Sequence, residues 1–472
     1  MQEFLNFLDA LDGFLYYPVL IVVLIFAGLY FSLKSKFAQV RLCFESVRLI
    51  SERPGNKNAI SSFGALMVST ASRVGTGNII GVSTAICLGG PGAVFWMWVL
   101  AILGGASALA ESTLAQVFKK HDEGTGRSYG GPAFYIEAIL HSKATAVIFS
   151  LFLIATYAFG FNALASYNLQ STFSVYSFYN ANVTPLIIGA VCAVITGWCM
   201  FGGARRIVKA TGLLVPVMGV VYVLAALMVM VMKIDILPDV LKMIFADAFN
   251  FRAIGSGIAG SCLVYGIKRG LYSNEAGVGS APNAAAYAET SHPIKQGLIQ
   301  MLSVYIDTIL ICSATAFMCL MSGVPATHEA AGAQYVQESV RTVLGETGPV
   351  FITVIMTLFA FTTLLGNLFY VDNALAYING KRMPGEKFMR CFRIVCAVVI
   401  LIGAVLPMST AWAIADITMA GMTLINIPCI MVGGGIVFKA LSDYERQRRG
   451  GNNPVFKASA IGLDPSKLDY WK

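Results

Sequence analysis

The chain has 472 residues, of which 57% are hydrophobic and only 12% charged, and its mean hydropathy is +0.70. A soluble domain of this size carries about 25% charge, so the composition excludes a water-covered globule and points to an integral membrane protein. The formal net charge of +8 fits membrane orientation and not a nucleic-acid surface, because the basic residues alternate with apolar runs.

Residues 1–15 carry Glu3, Asp9 and Asp12 and no Lys or Arg. A signal peptide has a basic leader, so the first apolar run is read as a span. Crossings are predicted at 16–33, 61–88, 92–118, 144–173, 184–200, 211–232, 254–288, 297–322, 349–378, 388–406 and 411–438. The uncharged runs among them approach or exceed the roughly 18 apolar residues that cross hydrocarbon. The pieces between them, of which 34–60, 119–143, 233–253 and 323–348 are the longest, are short or amphipathic and leave no room for a soluble domain. Ten cysteines are scattered, mostly within the apolar runs and without a Cys-x-x-Cys pair. They read as small packing residues and not as metal ligands or disulfides. His121, His141, His292 and His328 fall in predicted loops and suggest no metal site.

Basic residues sort by loop. One set of loops holds Lys34, Lys36, Arg41, Arg48, Arg53, Lys57, Lys119, Lys120, Arg127, Lys143, Arg205, Arg206 and Lys209, then Lys295, Lys381, Arg382, Lys387, Arg390, Arg393 and the tail from Lys439. The opposite set holds only Lys233, Lys242, Arg252 and Arg341. Basic loops stay in the cytoplasm, so the N-terminus is expected outside, the C-terminus inside, and the number of spans odd, about eleven.

Two predicted spans contain residues that weaken a helix. The second holds Arg73, Val74, Gly75, Thr76, Gly77 and Asn78; the seventh holds Ser273, Asn274, Glu275, Ala276, Gly277, Val278, Gly279, Ser280, Ala281 and Pro282. A glycine costs a helix about 1 kcal/mol against alanine, and unpaired backbone is tolerated at membrane depth only where it lines a cavity or is buried in protein. Glycines also let helices pack closely, which is the simpler explanation of Gly75 and Gly77 taken alone. Two breaks five spans apart instead suggest an inverted repeat with a site at the midplane. The expected fold is thus all-α, with a 5+5 inverted repeat, two broken helices and one extra N-terminal helix. Its expected divisions are 1–60, 61–253 for the first repeat, 254–438 for the second, and a cytoplasmic tail, 439–472.

These segments resemble the alanine or glycine:cation symporters, a family that is usually sodium-coupled. The matching stretches are RVGTGNIIGVSTAI with GGPGAVFWMW from Arg73, GGPAFYIE from Gly130, GARRI and LVPVM from Gly203, and KRGLYSNEAGVGSAP from Lys268. They continue through HPIKQGLIQMLSVYIDT from His292, FAFTTLLG from Phe359 and WAIAD from Trp412. The resemblance covers nearly the whole chain. It implies the fold of bacterial leucine transporters, in which the order seen at Val74, Gly75, Thr76, Gly77 and Asn78 recurs at the first broken helix. One departure stands out: where the family typically has a Trp after this Gly366, the chain has Asn367.

The resemblance implies uptake of a small neutral amino acid, alanine or glycine, with sodium by alternating access across the bacterial inner membrane. Because of Asn367, a sodium- or proton-coupled symporter for a larger polar amino acid such as glutamine is the alternative. An amino acid zwitterion carries two charges that are costly to bury. A broken helix offers free N–H groups and a partial positive charge to a carboxylate; Gly75, Thr76, Gly77 and Asn78 are the candidates. Carbonyls freed at the breaks, including those near Gly277, with Asn274 or Gln170, would accept from the ammonium, although Gln170 also suits a contact between helices. The related fold implies sodium ligands at the carbonyls of Ala71 and Val74 and the hydroxyls of Thr362 and Thr363. On spacing alone, adjacent threonines more often bond back within their own helix. Arg73, Glu275 and Asp372 are candidates for coupling or gating, as ionisable residues within predicted spans. Glu111 and Asp307 are expected to be structural partners of Arg73, Lys268 and Arg269. An ion channel is disfavoured by the paired breaks. An enzyme is disfavoured because the sequence shows no Ser/His/Asp set, metal cluster or phosphate loop, so no catalytic residue is assigned. No cofactor, nucleic acid or obligate protein partner is expected; sodium enters as cargo.

Overall fold

The chain is described by a computed structural model at residues 2–52, 60–122, 127–201, 203–250 and 260–471. Among these residues, seven helices are long and apolar enough to cross a membrane: Asn6–Lys34, Gly92–Val117, Lys143–Ser171, Arg206–Met232, Pro293–Leu320, Thr347–Ile378 and Met408–Val432. Each matches a predicted crossing.

The other four predicted crossings differ from uninterrupted apolar rods for physical reasons. Thr184–Met200 has only 17 residues. Glu386–Gly403 begins with Glu386, Lys387, Arg390 and Arg393. The remaining two are the broken segments. The start of the seventh prediction at Ile254, the border between 253 and 254, and the basic residues Arg53, Lys57 and Arg252 lie outside the described residues. The last crossing ends earlier than expected. Its helix stops at Val432, and Phe438 falls within a separate helix, Gly434–Arg449, whose last turn carries Arg446, Arg448 and Arg449. The connecting pieces hold a two-stranded hairpin, Lys120–Asp122 with Arg127–Tyr129, and helices such as Leu237–Ala248 and Ala333–Leu344.

The first broken segment starts conventionally: the Ser61 hydroxyl accepts from the Gly64 N–H and caps Ser62–Arg73. Helical geometry fails at Val74 (ψ 88°) and Gly75, which is extended (φ −146°, ψ −152°). A single turn, Thr76–Asn78, leads to a second limb, Ile80–Gly89. The second broken segment runs from Gly260–Asn274 through non-helical backbone to the four-residue helix Pro282–Ala285.

Long helices enclose the two breaks. Gly92–Val117 packs on Gly260–Asn274 and Pro293–Tyr305, while Thr347–Ile378 packs on Ser62–Arg73 and Phe161–Ser171. Small residues let these rods approach closely. A Cβ at Gly366 would lie 2.7 Å from the Ser72 nitrogen, and one at Gly403 would lie 2.3 Å from the Ala163 Cα. Lipid tails are as apolar as leucine, so contact at this range is a main source of helix association in a bilayer.

Gly403→Val should therefore lower the thermal unfolding temperature of the purified protein, with an overpacking cost of about 1–3 kcal/mol. Gly219→Val is the control, because nothing lies within 4 Å of a Cβ there. Equal melting shifts for the two variants would show that the Gly403 contact does not hold the helices together.

Candidate functional site

Asn78 fastens the first break. Its Oδ1 accepts from the Gly75 N–H at 2.8 Å, which closes the loop on itself. Its Nδ2 donates to Asp307 Oδ1 at 2.6 Å, and its carbonyl accepts from the Thr315 hydroxyl at 2.6 Å. The Asn78 N–H is taken by the Gly75 carbonyl, whereas neither the Thr76 nor the Gly77 N–H donates to another backbone group. Two donors of the break are thus left for a ligand. The Thr76 hydroxyl accepts from Asn168 Nδ2 at 3.0 Å.

The break presses against two neighbours that explain its glycines. A Cβ at Gly75 would fall 1.9 Å from the Thr363 hydroxyl oxygen, and one at Gly77 would fall 2.6 Å from the Tyr272 ring. The two threonines behave differently. The Thr362 hydroxyl lies 3.0 Å from the Leu358 carbonyl of its own helix, as bare spacing favours. The Thr363 hydroxyl is buried without a hydrogen-bond partner, beside Gly75. Ala71 and Val74 are buried on the limb that leads into this contact.

The second break is held by a carboxylate. Glu275, Gly277 and Gly279 all adopt positive φ (52°, 82° and 89°), which turns successive N–H groups inward and suits glycine at the latter two. Glu111 accepts there from the N–H of Gly277 (3.3 Å) and Gly279 (3.1 Å), and from Asn426 Nδ2 (2.8 Å). Asn274 caps the break locally: its Oδ1 accepts from the Ala276 N–H at 3.0 Å and its Nδ2 donates to the Thr308 hydroxyl at 3.2 Å.

Two further carboxylates join one break to the other. Glu275 accepts from the Ser72 hydroxyl at 3.0 Å and from the Ser280 hydroxyl at 2.5 Å. Asp307 accepts from Asn78 on one side and from the Ser273 hydroxyl, at 2.8 Å, on the other. Arg73 is buried next to them. It donates to the Gln300 carbonyl at 3.1 Å, while its Nε and Nη2 have no partner. Its charge acts on Glu111, Glu275 and Asp307.

Several expected roles are placed elsewhere. Lys268 and Arg269 pair with Asp12 and Asp416 and not with Glu111 or Asp307. Lys268 bonds Asp12 and lies 3.1 Å from Asp416, and Arg269 lies 3.1 Å from Asp416, stacked 3.6 Å over the Trp412 ring. The Gln170 side chain accepts from the Tyr179 hydroxyl at 3.0 Å; the residue that reaches the first break is Asn168. Asp372 is half-buried, with Arg393 as its charged neighbour, so it is not part of the network that links the breaks. Asn367 is fully buried between helices: its Oδ1 faces the Ser72 hydroxyl at 2.8 Å and its Nδ2 donates to Asn162 Oδ1 at 2.9 Å. Sequence reasoning missed Ser72, Asn162 and Asn168. The available signal was the run of polar side chains Asn162, Ser166 and Asn168 inside an otherwise apolar span.

The chain matches the sodium:alanine symporter family over residues 1–458. It is 38% identical over 461 residues to the amino-acid carrier protein AlsT of Bacillus subtilis, covering 98% of this chain and 97% of that protein. The probable sodium/glutamine symporter GlnT of the same organism is 39% identical, at 97% and 94% coverage. The sodium/alanine symporter AgcS of Methanococcus maripaludis is 34% identical, at 95% and 99% coverage. Among solved structures, MhsT in complex with L-phenylalanine shares the fold with a TM-score of 0.54 at 13% identity, covering 88% of this chain and 93% of the other. The family match and these relatives make the chain a multi-pass, sodium-coupled transporter of amino acids and not an enzyme. The chain belongs to the sodium:alanine symporter family.

Replacing Glu111 with Leu should destabilise the protein strongly, because each buried polar group left unpaired costs about 1–3 kcal/mol. Glu111→Gln keeps an acceptor and should cost less. Thermal unfolding in detergent compares the two; equal stability of Glu111→Leu and the natural chain would remove Glu111 from the role of holding the break.

Proposed function

We propose that this symporter imports alanine or glycine together with sodium across the cell membrane. The observation that carries the reading is the meeting of the first break with Thr363: two free backbone donors and an unpartnered buried hydroxyl lie where the chain leaves its helix. The Thr76 and Gly77 N–H groups would receive the substrate carboxylate. Sodium, a hard cation that prefers oxygen, would take the Thr363 hydroxyl with the carbonyls of Ala71 and Val74. Thr362 contributes packing, since its hydroxyl is already engaged. The names of the relatives AlsT and AgcS support an amino acid and sodium as cargo.

Alternating access would come from two five-helix repeats moving about the breaks. Glu275 and Asp307 tie one break to the other, so the carboxylates are placed to sense whether both are in position; Arg73 sets their charge. The distribution of basic residues supports an outside N-terminus and a cytoplasmic C-terminus. One positive charge moving inward down 100 mV supplies about 2.3 kcal/mol, which sustains roughly fortyfold accumulation of a neutral zwitterion at about 1.4 kcal/mol per tenfold.

A second reading, transport of a larger polar amino acid such as glutamine, rests on Asn367 and on the name of the relative GlnT. Competition of glycine, alanine, serine and glutamine for uptake into proteoliposomes, with an imposed sodium gradient, decides between them. Alanine and glycine should compete best. Superior competition by glutamine would favour the second reading, and uptake without any sodium dependence would sink the first.

Thr363→Val should raise the sodium concentration needed for half-maximal uptake about tenfold or more, since a hydrogen-bonding contact to a charge is worth about 1.5–3 kcal/mol. Thr362→Val should change it little. The reverse ranking would move the ion away from Gly75. Orientation is checked separately with single cysteines at Ser459 and Asn182, both exposed. An impermeant reagent applied to intact cells should label the cysteine replacing Asn182 and spare the one replacing Ser459.

A further inference from the structure

Residues 453–471 lie against one face of the protein, with Phe456, Ala458, Ile461 and Leu468 buried and a set of directed polar contacts beside them. The Phe456 N–H donates to the Ser291 carbonyl at 2.8 Å, and the Ser291 hydroxyl donates to the Pro454 carbonyl at 2.7 Å. Lys295 donates to Asn453 at 2.7 Å. Further along, the Trp471 indole donates to the Gln116 carbonyl at 2.7 Å, Asp469 accepts from the His121 N–H at 2.8 Å, and the Tyr470 ring covers the Lys119 ammonium at 3.7 Å. Phe456 sits edge-on between His292 and Trp471.

These contacts converge on one element. Ser291 and His292 end the limb that leaves the second break, and Gln116 and Lys119 hold its middle. Lys119 donates to the Ala288 carbonyl at 2.9 Å, and Gln116 donates to the carbonyls of Ala285 and Ala288. The same limb pairs with Ile60, just before the first broken helix, where the Glu289 N–H donates to the Ile60 carbonyl at 3.1 Å. Between Asn274 and Pro293 the helix Pro282–Ala285 is followed by backbone bonds of its own only as far as Ala288, whose N–H donates to the Ala285 carbonyl; beyond it the limb leans on Ile60 and the tail.

We propose that residues 453–471 form a latch that holds the limb after the second break against Ile60 and the end of the Gly92–Val117 helix, so that this face of the transporter opens only when the tail lifts. The grip combines these hydrogen bonds and ring contacts with apolar burial of Phe456, Ala458, Ile461 and Leu468, and beneath it lies Lys119. Burial pulls Lys119 down to about 7, with Glu289 opposing, and the Tyr470 ring of the tail is among the groups that cover it. A tail that served only to fill space would not direct its bonds to both sides of one limb.

The test places a reporter cysteine at Ala288, which is buried, in a chain freed of its ten native cysteines. A second reporter chain retains only Cys87, buried in the limb Ile80–Gly89 of the first break. Alkylation by a maleimide is followed in purified protein in detergent, with the tail intact, with residues 452–472 deleted, and with Trp471→Ala. Releasing the latch should speed alkylation at the Ala288 position about tenfold, as expected for a lowered cost of local opening, and leave Cys87 unchanged. An unchanged rate at the Ala288 position, or an equal rise at Cys87, would overturn the proposal; if the truncated chain fails to fold, Trp471→Ala decides. The assay needs neither substrate nor a bilayer, so its outcome is independent of the cargo and orientation proposed above.

Discussion

A chain that leaves its helix within hydrocarbon must find a protein partner for every backbone group it frees, and here Glu111 meets that requirement. Without its acceptance of the Gly277 and Gly279 N–H groups, the second segment could not stay open at a place shielded from water. With it, the segment turns, the following limb can reach Ile60, and Glu275 can point across to the first break. The first segment meets part of the same demand internally, where the side chain of Asn78 takes the Gly75 N–H, and leaves the Thr76 and Gly77 N–H groups open. One break is therefore held by a residue from another helix and the other by a residue of its own. The two are then joined by carboxylates that touch both.

Much of the fold was legible because its strongest signals are compositional. Apolar runs separated by basic loops are unmistakable, and glycine with polar residues in mid-span marks a break whatever the partner. What was illegible depends on contacts between distant residues. Nothing in the local pattern reveals that Lys268 and Arg269 answer Asp12 and Asp416, because electrostatic pairing in a helical bundle follows packing and not sequence spacing. Thr362 and Thr363 look equivalent in sequence. They differ by about 100° around a helix, which leaves one hydroxyl on its own backbone and turns the other toward Gly75. Gln170 and Asn168 are both amides in one polar run, and only their direction separates them: Asn168 meets Thr76 and Gln170 meets Tyr179. Ends of elements were blurred as well: the boundary at Val432 is invisible because the apolar character continues past Gly433.

The glycines of the first break show how packing and function overlap. Gly75 and Gly77 are obliged to lack side chains by Thr363 and Tyr272, independent of any ligand. The same close fit keeps water from the unpaired donors, and hydrogen bonds offered from a dry, preformed site are stronger than those offered from a wet one. A residue can thus be demanded by its neighbours and still shape the site.

Ser72 carries a single hydroxyl hydrogen and faces two acceptors, Glu275 Oε1 at 3.0 Å and Asn367 Oδ1 at 2.8 Å. Only one can have it at a time. Whichever way the hydroxyl turns, the other oxygen loses that donor in a region sealed from solvent. Rotating one light atom about a single bond, with no movement of any helix, hands the hydrogen from a carboxylate to an amide. The protein therefore contains a rotor of minimal mass whose two positions serve an acceptor in the second break or one on the Thr347–Ile378 helix.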